Sequence, residues 1–148
     1  MTLEAFLASL HLVAVLTLVV FLSSEAALCR TEWMNASVVR RLAKLDVIYG
    51  LVALALLLTG IARVVWGVKG IGWYVSQPLF HLKVLLFVVA AVLSLRPTFT
   101  IRKWVKALNV AGTLPQPESV RFVRKWIMVQ AHLIPVIAVI AVFWARGM

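Results

Sequence analysis

Apolar residues fill four stretches of this chain almost without a break, and polar residues gather between them. The stretches run from about Ala5 to Leu28, Leu45 to Trp66, Val75 to Leu95 and Phe122 to Ala145. A helix needs about 20 apolar residues to cross the hydrocarbon of a bilayer, and within lipid a helix satisfies its own backbone. The pattern therefore predicts an all-α fold: an integral membrane four-helix bundle, with residues 1–148 forming a single membrane domain. Pro78 falls in the first turn of the third helix, where its missing N–H costs little. Pro135 falls inside the fourth, where it is expected to release the carbonyl of Ala131 and bend the helix. The first stretch is not read as a signal peptide, because "MTLEAF" carries an acid and no base and the apolar run is too long.

The third connection is the longest. Its segment "TFTIRKWVKALNV" sets Phe99, Trp104 and Leu108 among basic residues, which predicts a short helix lying on the membrane surface. "GTLPQPES" after it reads as a break, with Ser119 as the cap of the fourth helix.

Composition agrees with the pattern. The chain is 64% hydrophobic, against about 45–50% for ordinary soluble domains. Fifteen Lys and Arg oppose five Asp and Glu, giving a formal net charge of +10. Eleven of the fifteen lie in the first and third connections: Arg30, Arg40, Arg41, Lys44, Arg96, Arg102, Lys103, Lys106, Arg121, Arg124 and Lys125. The other four are Arg63, Lys69, Lys83 and Arg146. Charge that flanks membrane helices orients them, so this distribution argues for topology and against nucleic acid as a partner. It places both termini on the outer side of a bacterial inner membrane. Trp66, Trp73, Tyr74 and Trp144 then form an outer aromatic belt, and Trp33, Trp104 and Trp126 an inner one. Cys29 is the single cysteine, which excludes an intrachain disulfide and a cysteine metal cluster.

Ionisable groups inside membrane helices are costly and usually face the bundle interior. His11 lies seven residues after Glu4 and His81 seven after Tyr74. Both are expected about 10 Å below the outer boundary. Two imidazoles at one depth on two helices form a candidate axial pair for haem iron. Arg63 can pair with a propionate. Lys83 lies about 200° around its helix from His81 and reaches a propionate from the flank or snorkels to the headgroups. Gln77 shares the His81 face and can bond a ligand edge. The plainer alternatives stay open: the histidines as interhelical hydrogen-bond donors, and Arg63 and Lys83 as snorkelling ends. His132, near mid-membrane beside Pro135, is read first as structural and otherwise as an alternative ligand. Glu25, near the inner end of the first helix, is expected to pair with Lys44 or Arg96. "HLVAVLTLVV" from His11 and "HLKVLLFVVA" from His81 begin alike, a faint internal repeat of two helical hairpins.

The residues also resemble known families. "DVIYGLVALALLLTGIARVVWGVKG" followed by "QPLFHLK" resembles a family of small bacterial inner-membrane proteins of unknown function, over His11 to Arg102. More distantly, His11 with the Phe80-His81-Leu82-Lys83 stretch resembles the HemJ-type protoporphyrinogen oxidases, four-helix membrane proteins that bind haem b. That resemblance implies His11 and His81 as iron ligands, with Lys83 supporting the site. Leu79 stands where those oxidases carry a tryptophan, and the proline-rich second half of their first helix is missing. CopD-like copper-resistance membrane proteins share a similar layout.

The function expected from these features is a membrane redox protein. One haem b sits between helices one and three and serves electron transfer or porphyrinogen oxidation, with a quinone, a porphyrin or a redox protein as partner. Competing expectations are a non-enzymatic membrane subunit or small transporter, and a copper-handling protein. A homo-oligomer is compatible with any of them.

Overall fold

A computed structural model describes residues 2–145, with side chains through Phe143. The expectations placed on Trp144 as a belt residue and on Arg146 as an outer charge lie outside the described residues. The chain folds as α1 (Leu3–Leu28), a 3-10 turn (Thr31–Trp33), α2 (Ala36–Trp66), a short α3 (Gly70–Val75), α4 (Pro78–Ala111) and α5 (Pro117–Ala145). Four of these helices are long and apolar enough to cross a membrane.

Each long helix buries one seam. On α1 the buried residues are Leu7, Ala14, Leu18, Leu22 and Glu25, and on α2 they are Val39, Leu42, Asp46, Tyr49 and Leu56. On α4 they are Ala90, Pro97, Ile101 and Trp104. Spacings that alternate between three and four residues are those of helices packed at small angles. α1 packs mainly on α2 and α4 mainly on α5; the two hairpins meet more thinly, α2 against α4 and α1 against α5.

Three of the four helices reach further than their apolar stretches. α2 begins at Ala36 because Asn35 caps it, its side-chain oxygen accepting from the Val38 N–H at 3.0 Å. α4 does not end at Leu95. It runs through Pro97 to Ala111 and is continuous over "TFTIRKWVKALNV", so no separate surface helix forms there. Its 34 residues make a rod of about 50 Å, against a hydrocarbon core of about 30 Å. A proline inside a helix costs a hydrogen bond. Continuing past it seats Pro97, Ile101 and Trp104 in the core, and that burial offsets the loss. Ser119 lies inside α5 and is no cap: it accepts a hydrogen bond from the Trp104 indole at 3.0 Å. Pro135 is accommodated within a continuous α5.

Packing is tightest at the basic end. Cys29, Val39, Leu42, Ile101, Val123 and Ile127 are fully buried there. Arg124 from α5 ties this end together by donating to the carbonyls of Ala26 and Cys29, both at 3.2 Å. These are carbonyls that the end of α1 leaves unpaired. Towards the far end the hairpins part.

Candidate functional site

Between the hairpins lies a cavity of about 740 Å³, within the range of about 300–1,000 Å³ of small-molecule sites. Its walls are apolar through the middle, among them Val15, Leu56, Phe87 and Ile137. Polar groups mark its two ends. At the far end stand His11, Arg63 and Lys83; towards the basic end stand Asp46, Thr98 and Arg102. Arg63 and Asp46 are seventeen residues apart on α2, which sets the ends about 25 Å apart along the bundle.

The far end is built from three helices. His11 shares the seam of α1 with Leu7 and Ala14. Gly60 gives the ring its place on α2: a Cβ there would meet His11 Cε1 at 3.4 Å. His11 Nδ1 lies 3.0 Å from Thr59 Oγ1. The Thr59 hydroxyl hydrogen is already directed at the carbonyls of Ala55 and Leu56, at 2.9 and 3.0 Å. Nδ1–H of His11 therefore donates to Thr59, and Nε2 is left as the nitrogen with the lone pair. The charges of Arg63 and Lys83 both act on this ring.

Of the five residues expected to hold a cofactor, the structure brings His11, Arg63 and Lys83 together. His81 and Gln77 are not among the residues lining the cavity. His81 is exposed, and its Nε2–H donates to the carbonyl of Val75 at 2.7 Å. Its ring packs on Phe80, which packs on Tyr74. Gln77 caps α4, its carbonyl accepting from the Phe80 N–H at 3.1 Å. The expected two-histidine pair across the interior thus does not fit this geometry. The reason is azimuth. Lys83 and Ala90 are seven residues apart and share a face; His81 and Ala90 are nine apart and lie about 180° from each other. Burying Ala90, Pro97 and Ile101 turns Lys83 inward and His81 outward.

His132 also stays outside the cavity lining. Its Nδ1–H donates to the carbonyl of Met128 at 2.6 Å, one turn back on its own helix. Among the described residues no group of three or more His, Cys, Asp or Glu is placed to hold a metal ion. Glu25 does not pair as expected: Lys44 is exposed, and Arg96 lies over the Trp126 ring, 4.6 Å from its centroid. Sequence reasoning missed Thr59 and Gln130. The signal was present, since both are polar residues in apolar runs at seam spacing.

Residues 3–148 match the family model described as "Predicted membrane protein (DUF2214)". The chain belongs to this family. It is therefore a DUF2214 membrane protein, a small helical protein with four apolar helices in a lipid bilayer. No curated protein and no solved structure matches the chain.

Proposed function

We propose that this DUF2214 protein is a binding protein of the bacterial inner membrane that holds an acidic amphiphile between its two hairpins. The single observation behind this is the grouping of Arg63, Lys83 and His11 at one end of an otherwise apolar cavity. Two cations in an apolar wall favour an anionic group, with which they form charge-assisted hydrogen bonds. Nε2 of His11 accepts from a hydroxyl on the same ligand. The apolar body of the ligand runs along Val15, Leu56 and Phe87 towards Asp46. A length of about 25 Å is most of the hydrocarbon thickness of about 30 Å, which suits a single extended chain. The thin seams between the hairpins give such a ligand a way in from the lipid. The test is native mass spectrometry of protein released from mild detergent. A retained acidic lipid is expected on the wild type and absent from the Arg63→Gln/Lys83→Gln double variant. A wild type that carries no adduct counts against the reading.

A second reading is favoured by one observation, the 3.0 Å contact of His11 Nδ1 with the Thr59 hydroxyl, which leaves Nε2 towards the cavity as the free nitrogen. An imidazole that donates through Nδ1 and presents Nε2 is arranged as metal-ligating histidines are. Haem b would be held by His11 as its sole protein ligand, with its propionates on Arg63 and Lys83. When bound, the group supplies one-electron chemistry. The visible spectrum of the purified protein separates the readings: a Soret band lost in His11→Ala and kept in His81→Ala supports haem, and a colourless protein removes it.

A further inference from the structure

A second cleft opens at the basic end, apart from the cavity between the hairpins. It has a volume of about 320 Å³ and lies where the turn after α1 meets the start of α5. Arg30, Arg121 and Arg124 line it, and Glu32 is the only acid among its lining residues. The buried Cys29 and Val120 close its floor, joined by the Cys29 thiol, which donates to the Val120 carbonyl across 3.8 Å.

The three guanidinium groups are held in place before any ligand arrives. Arg124 is half-buried, and its Nη1 donates to the carbonyls of Ala26 and Cys29, both at 3.2 Å. That fixes the plane of the group and leaves the three N–H groups of Nε and Nη2 for a ligand. Arg121 stands one turn earlier on the same face of α5. Arg30 comes from the opposite wall, its guanidinium carbon 5.1 Å from the centroid of the Trp33 ring, a contact that restrains a long side chain. Arginines placed in advance lose less freedom on binding.

Charge indicates what the cleft takes. Three cations against one carboxylate leave its lining with two net positive charges. A phosphate monoester carries about −1.5 to −2 at neutral pH, with three acceptor oxygens, and guanidinium forks match its geometry. Glu32 is exposed, so its carboxylate is free to turn to water as the anion enters. Trp33 is 52% exposed and Phe122 45%, beyond the end of the apolar α1 at Leu28. Exposed rings of this kind sit at headgroup level, which sets the cleft at the depth of lipid phosphates.

We propose that Arg30, Arg121 and Arg124 form a binding site for a phosphate monoester, carried on a lipid headgroup or free in water. The site does not depend on what fills the cavity between the hairpins.

Two arms test this in phosphate-free buffer. In the first, inorganic phosphate is titrated by calorimetry into the wild-type chain in phosphatidylcholine nanodiscs. In the second, native mass spectrometry counts the phosphatidic acid or phosphatidylglycerol retained by Arg63→Gln/Lys83→Gln, in which the far end of the cavity no longer draws acids. Heat with phosphate shows that the ion alone suffices; retained phosphatidic acid without heat assigns the site to a lipid. In the arm that binds, Arg30→Gln and Arg121→Gln should each weaken binding by about tenfold, the worth of one charge-assisted hydrogen bond. Arg40→Gln and Lys125→Gln should not, because neither side chain lines the cleft. Arg30 and Arg121 are exposed, so neither substitution opens the core, and the wild-type titration needs no variant. No binding in either arm, phosphatidylglycerol retained as strongly as phosphatidic acid, or equal losses from all four variants overturns the proposal.

Discussion

The hydroxyl of Tyr49 donates to Oε1 of Gln130 across 2.9 Å, a bond between α2 and α5 that joins the two hairpins inside the bundle. Both side chains are buried. The Gln130 amide is also satisfied on its other side, donating to the Trp126 carbonyl at 3.3 Å. Tyr49→Phe keeps the ring and leaves Oε1 without its donor. A buried acceptor stranded in this way costs about 1–3 kcal/mol. Thermal unfolding in detergent should show the loss, and a variant that melts with the wild type would mean that water or another group replaces the phenol.

The same seam explains what could be read from the sequence. The four crossings were legible because each apolar run is long and barely broken. The extensions were not. In residues 36–44 and 98–111 the buried Val39, Leu42, Ile101 and Trp104 alternate with Arg40, Arg41, Arg102 and Lys103. That is the amphipathic pattern of a water-facing helix, which a search for unbroken apolar runs passes over. Pro97 lies just past the expected end at Leu95, yet the residues beyond it bury enough surface to carry the helix on. At the site, rise per residue set the expected depth of His11 and His81. It says nothing of azimuth. His81 and Lys83 cannot both face inward, and only the seam through Ala90, Pro97 and Ile101 decides between them.

Two glycines should respond in opposite ways to alanine. A Cβ on Gly67 would clash with the backbone carbonyl of Arg63 and would lie 3.2 Å from the Tyr74 hydroxyl. Neither the carbonyl nor the buried Tyr74 can give way cheaply, so Gly67→Ala should destabilise the far end by about 1–3 kcal/mol. A Cβ on Gly50, inside α2, would meet nothing within 4 Å. Gly50→Ala should be neutral or stabilise by up to about 1 kcal/mol, the difference in helix propensity. Melting temperatures of the two variants in one detergent check the contrast.

Cys29 should be inert. Its thiol is fully buried; burial, with Glu25 adding to it and Arg124 opposing, pushes its pKa up to about 12. The thiolate is the reactive form. Below that value the group is held as thiol, and the stability linked to it is lost as the pH rises from the unfolded thiol's ordinary range to about 12. Maleimide should therefore label the protein in denaturant and leave it unlabelled in mild detergent at neutral pH. Rapid labelling of the native protein would show that the basic end opens.

The two cations at the far end of the cavity should not be equivalent to any other pair of charges. Arg63→Gln and Lys83→Gln are each expected to lower retention of an acidic ligand by about tenfold, the worth of one charge-assisted hydrogen bond. Lys69→Gln is the control, because that ammonium lies over the Trp73 ring, 3.8 Å from its centroid, and does not line the cavity. Equal losses from all three variants would point to general charge attraction in place of a site.

The uneven pairing of the helices bears on how the chain is made. α1 packs far more on α2 than on the second hairpin, and α4 far more on α5 than on the first, so each half can enter the bilayer as a pair. The last event of assembly is then the docking of two halves, led by the well-packed basic end. The lipid-facing seam that closes last is also the one best suited to reopen.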